Sequence, residues 1–98
     1  MKLIQDLSEM IDEEIADAHK YAKCAKKYKD EDPELSRTFA QLANEELSHM
    51  ERLHTQVVRI IKDYREKHGD PPATMMTIYN YLHERQIEKV AAVRMLLA

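Results

Sequence analysis

The sequence predicts an all-α fold, a long antiparallel helical hairpin followed by a third C-terminal helix, with the hairpin pairing with a second chain into a four-helix bundle. Three observations carry this. The 98 residues include one Gly and three Pro, so there is little with which to build tight turns, while 34% are charged and 44% hydrophobic, a helical composition. Apolar residues recur every three or four positions through three long runs. Between the runs stand Asp-Pro and Gly-Asp-Pro-Pro, which end one helix and start the next. A chain of this length is one domain and buries a modest fraction of its surface when alone, so self-association is expected.

The first run covers about residues 3–30. Leu3, Leu7, Met10, Glu14, Ala18, Tyr21, Ala25 and Tyr28 lie three or four apart, and Ile4, Ile11, Ile15 and Ala22 widen the stripe. In Lys29-Asp30-Glu31-Asp32-Pro33-Glu34 the pattern stops: Asp32 is a good N-cap, Pro33 suits the first helical position, and Glu34 complements the helix dipole. The second helix, residues 33–68, repeats the spacing through Leu35, Phe39, Leu42, Glu46, His49, Met50, Leu53, Val57, Ile60 and Tyr64. At about 1.5 Å per residue it reaches roughly 50 Å, beyond its partner. It ends at His68-Gly69, where Gly can take a left-handed conformation. The third helix, about 72–97, carries Met75, Ile78, Tyr79, Leu82, Ile87, Val90, Val93, Leu96 and Leu97 on a broad surface suited to more than one neighbour. The short link between the first two helices makes them antiparallel.

The chemically informative residues interrupt the apolar seam. Glu14 breaks it in the first helix, Glu46 and His49 in the second. Folding about residue 31 sets position 14 opposite position 48, so all three arrive at one height. Two carboxylates and an imidazole entering a core with no Lys or Arg at that level would cost several kcal/mol, and a cation offsets that cost. Carboxylate and imidazole ligands suit iron or manganese, and zinc can occupy them too. The Glu-x-x-His spacing puts both groups on one face, where the Glu can bridge two metals and the His ligate one.

Glu14 with Tyr21 seven residues later, then Glu45-Glu46-Leu47-Ser48-His49 after a Pro-initiated helix, resembles the ferritin-like superfamily, closest to the encapsulated ferritins, over residues 1–68. The resemblance implies Glu14, Glu46 and His49 as catalytic and metal-binding residues of a di-iron centre, one half-site per chain, completed by a second copy into a ferritin-like four-helix bundle. It implies ferroxidase activity, the oxidation of iron(II) for storage or detoxification, in a homodimer or larger homo-oligomer such as a ring of dimers. It also implies an encapsulin-type shell as partner, with a cytoplasmic location or one inside a protein nanocompartment. Lys20 stands where that family can carry an aromatic residue, Ala16 where a second acid of an outer site would be, and no Gly-Ser-Leu-type targeting segment follows Leu97.

Competing readings are a peroxide-reducing di-iron protein and a metal-free helical oligomerisation module. A second Glu-x-x-His, Glu51 to His54, falls off the seam and is expected to be a solvated surface pair, while His19, His68 and His83 are expected as surface or end-of-helix residues, His68 being well placed for a helix C-terminus. Met10, Met50 and Met75 are expected in packing, Cys24 beside the seam as a small half-buried hydrophobe, and Glu13, Asp17 and Glu45 on an acidic face able to attract cations. Net charge is -3 with basic residues spread throughout, which argues against nucleic acid as a partner. No apolar run is long enough for a membrane span, and one Cys fits a reducing compartment.

Overall fold

The computed structural model describes residues 1–98 as three α-helices and no strand: α1 (Lys2–Tyr28), α2 (Pro33–His68) and α3 (Ala73–Leu97). The capping chemistry explains the boundaries. Asp32 accepts the Leu35 backbone N–H at 3.2 Å, satisfying one of the free donors at the start of α2, and Pro33 occupies the first turn without losing a bond. At the other end Gly69 takes φ +79°, and its N–H reaches the Arg65 carbonyl at 3.0 Å. A side chain there would be strained by that φ even though nothing lies within 4 Å of where its Cβ would be.

The hairpin register is fixed near the turn, where the Ser36 hydroxyl donates to the Ala25 carbonyl at 2.6 Å. The long dimension of the molecule, 55 Å, is that of α2, whose 36 residues at about 1.5 Å each would extend as far.

Two buried clusters hold the fold. One joins Ile4, Ile11, Ile15, Val57 and Ile61; the other joins Ala18, Ala22, Ala43, Leu47 and Val93. The small residues of the second let α1 approach both α2 and α3 closely, while the branched residues of the first fill the space between α1 and α2. On α1 the buried positions are Ile4, Ser8, Ile11, Ile15, Ala18, Ala22 and Ala25, spaced alternately by four and three. This stripe faces α3: Gln86, 5% exposed, directs its side-chain amide at the Ser8 carbonyl (3.3 Å), the Ser8 hydroxyl (3.2 Å) and Asp12 (3.0 Å).

The core is therefore offset from the expected seam. Leu3, Leu7, Met10, Glu14 and Tyr21 form a second stripe on α1, one position over from the first, and Phe39, Leu42, Glu46, His49, Leu53 and Ile60 form its counterpart on α2. Each residue of this second stripe is half-buried or exposed, Leu3 and Met10 to 50% and 47%. Each hairpin helix thus carries two parallel apolar stripes, and α3 covers only one. Met10 is not packed as the sequence suggested. Only 14 of the 98 residues are buried, and Ile78, Tyr81, Ile87 and Met95 of α3 also face solvent in the single chain. No helix is long and apolar enough to cross a membrane.

Candidate metal centre

Glu14 lies midway along α1, and Glu46 and His49 occupy one face of α2 one turn apart. The antiparallel register brings them together: one ligand atom from each lies within 4.8 Å of the others. His49 Nδ1 stands 3.3 Å from Glu14 Oε2 and 3.7 Å from Glu46 Oε2. Neither carboxylate is paired with a Lys or Arg, so the imidazole is their one cationic partner when protonated.

The setting differs from the buried one expected. The side chains of Glu14, Glu46 and His49 are 26%, 20% and 51% exposed, on the open stripe and away from α3. Within one chain, water reaches the group and desolvation does not require a cation. That requirement arises only where a second surface covers the stripe. Even so, the Glu46 carboxyl is held above its ordinary value of 4.5. Hydrogen bonding with Glu14 is the largest cause, followed by burial and repulsion from the Glu14 charge, while His49 pulls the other way. An arriving cation would compete with the proton that the Glu46 carboxyl holds more tightly than usual.

Around this group, Tyr21 stacks on Phe39 with ring centroids 6.3 Å apart, and Phe39 on Tyr28 at 6.2 Å. The Tyr21 ring belongs to this aromatic ladder toward the turn, two helical turns from Glu14. Glu13, Asp17 and Glu45 are exposed, and Cys24 is half-buried.

The second Glu-x-x-His behaves differently from its expectation. Glu51 is exposed and pairs with Arg94 at 3.3 Å. His54 and His83, however, are half-buried: their rings stack at 4.7 Å and 6° between planes, and His83 stacks in turn on Tyr79 at 5.8 Å and 8°. They form one end of a groove of about 580 Å³ between α2 and α3, bounded at the other end by Arg94. The signal was present in the sequence: Tyr79, His83, Gln86, Val90, Val93 and Leu97 follow the same four-three spacing as the core stripe of α1, with two polar members that obscure it.

Compared with family models, curated proteins and solved structures, the chain matches none of them.

Proposed function

We propose that the chain is half of a carboxylate- and histidine-ligated metal centre, completed by a second copy, at which iron(II) is bound and oxidised. The observation that carries this reading is the convergence of Glu14, Glu46 and His49 within 4.8 Å on the one hairpin stripe that α3 leaves uncovered. A two-fold axis through that stripe would duplicate every ligand, giving four carboxylates and two imidazoles, the set that ferritin-like di-iron bundles use. It would also cover Leu3, Met10, Leu42 and Leu53, and their burial would favour the pairing.

The donor set fits iron(II), with manganese and zinc as substitutes: carboxylate oxygens and imidazole nitrogens, no thiolate. Glu46 would ligate as the carboxylate, Glu14 and His49 would exchange their mutual contact for the ion, and each iron(II) oxidised would pass one electron to dioxygen or peroxide. Covering the stripe would exclude water and fix the ligands on rigid helices. Storage or detoxification of the ferric product, in a shell or otherwise, belongs to the same proposal.

Metal titration combined with analytical ultracentrifugation tests it. One iron per chain at saturation and a dimer tightened by metal are expected; a monomer holding two irons, or pairing that excludes these three residues, overturns it. A second reading has an observation of its own. The 3.3 Å contact of His49 with Glu14 and its 3.7 Å approach to Glu46 pair the three groups without an ion, as a metal-free oligomerisation module would require. Absence of bound metal in protein purified without chelator, with dimerisation intact, would favour it.

A further inference from the structure

The α2–α3 groove lies on the other side of the hairpin from the candidate metal centre and involves none of its residues. α3 is anchored to α1 by the bonds of Gln86 to Ser8 and Asp12 and by Val93 against Ala18 and Ala22. Toward α2 its ring contact is His83 on His54, and within α3 Tyr79 stacks on the same His83, all within 8° of parallel.

We propose that the His54–His83 stack is a proton-sensitive latch, closing α3 onto α2 while both imidazoles are neutral and releasing it when they take up protons. Two neutral rings stack favourably in a half-buried groove. A proton on one places a charge where water is partly excluded, and a proton on the second places a like charge 4.7 Å away by ring centroids.

Nothing facing the stack offsets this. On α2, Glu51 is engaged by Arg94. On α1, Asp12 accepts from the Gln86 amide. On α3, Tyr79 is a neutral phenol, driven further from ionisation by burial, Arg94 is itself a cation, and Glu84 is exposed. The Nδ1 atom of His83 is buried without a hydrogen-bond partner, so no carboxylate or carbonyl is placed to receive a proton from it. His54 accordingly holds a proton less readily than a free imidazole, through burial first and the neighbouring His83 second. Because α3 stays tied to α1, release opens the groove without unfolding the chain.

Hydrogen exchange on the metal-free protein at about pH 7.5 and about pH 5, corrected for intrinsic rates, reads the latch directly. Amides of the first half of α3 are expected to exchange faster at the lower pH, while those around Ile11 and Ile15 of α1 do not change, since protonation of a half-buried imidazole favours the open groove. His83→Phe keeps a flat ring between Tyr79 and His54 but takes up no proton; it removes the like charge while leaving the burial of His54, and should diminish the difference. Equal protection at both pH values in the unaltered chain, or an undiminished difference in the variant, overturns the proposal. Should the variant not fold, proton NMR of the His54 ring in the unaltered chain decides: titration below the ordinary 6.5 supports the latch, and titration at or above it refutes it.

Discussion

Glu46 is the residue on which the chemistry of the open stripe turns. An acid whose folded-state pKa lies above its ordinary value binds more protons folded than unfolded. The apo protein should therefore gain stability as pH falls through the folded pKa toward 4.5, and lose it as pH rises again toward neutral. Glu46→Gln removes the repulsion with Glu14 and should raise the apo melting temperature at neutral pH, flatten this acid-side gain, and abolish any further rise on adding iron(II). Melts at about pH 7.5 and about pH 5.5, with and without metal, measure all three. In the unaltered chain, competition between the metal and the proton on Glu46 should make metal affinity climb with pH through the same window. Activity supplies a sharper contrast: Glu46→Ala and His49→Ala should each lower stopped-flow iron oxidation by about a hundredfold or more, while Glu51→Ala leaves it unchanged. Glu51 is the suitable control because His54, its partner in the string, stacks on His83 of α3. Equal losses at positions 46 and 51 would remove the case for the open stripe.

At the scale of the element, α3 is the least secured helix and Gln86 its polar anchor. Its amide serves acceptors on Ser8 and Asp12 in a site where water is nearly excluded. Gln86→Ala leaves these acceptors short of a donor and opens a void, so a loss of about 2–3 kcal/mol is expected in urea denaturation. α2, by contrast, is bounded by local chemistry. Removing its cap with Asp32→Ala should cost about 1 kcal/mol, and because the cap lies at the turn the iron chemistry should be untouched.

For the whole molecule, the two-stripe hairpin leaves one face without a partner. If a second copy covers it, Leu42→Glu or Leu53→Glu places two charges in each dimer interface and should weaken association at least about tenfold, whereas Ile78→Glu on the exposed side of α3 should have little effect. Sedimentation equilibrium over a range of protein concentrations separates these outcomes. Dimer dissociation by Ile78→Glu alone would move the interface to α3.

The sequence by itself determined the helices, because their causes are local: Asp32 and Pro33 start α2, Gly69 ends it, and the three-four spacing marks α1 and α2 as amphipathic. It also determined that Glu14, Glu46 and His49 meet, since a short turn leaves an antiparallel hairpin one register and the helical rise fixes the heights. What it did not determine was which of two adjacent stripes became the core. Ile4, Ile11 and Ile15 on one, and Leu3, Leu7 and Met10 on the other, are equally apolar and one residue apart, so the choice waited on where α3 docked. That docking depends on Gln86, His83 and His54, polar residues whose burial follows from what they meet across space, and hydrophobic periodicity does not register such pairings. The tertiary structure alone therefore decided that the acidic group lies on the open side of the hairpin and the histidine stack on the closed one.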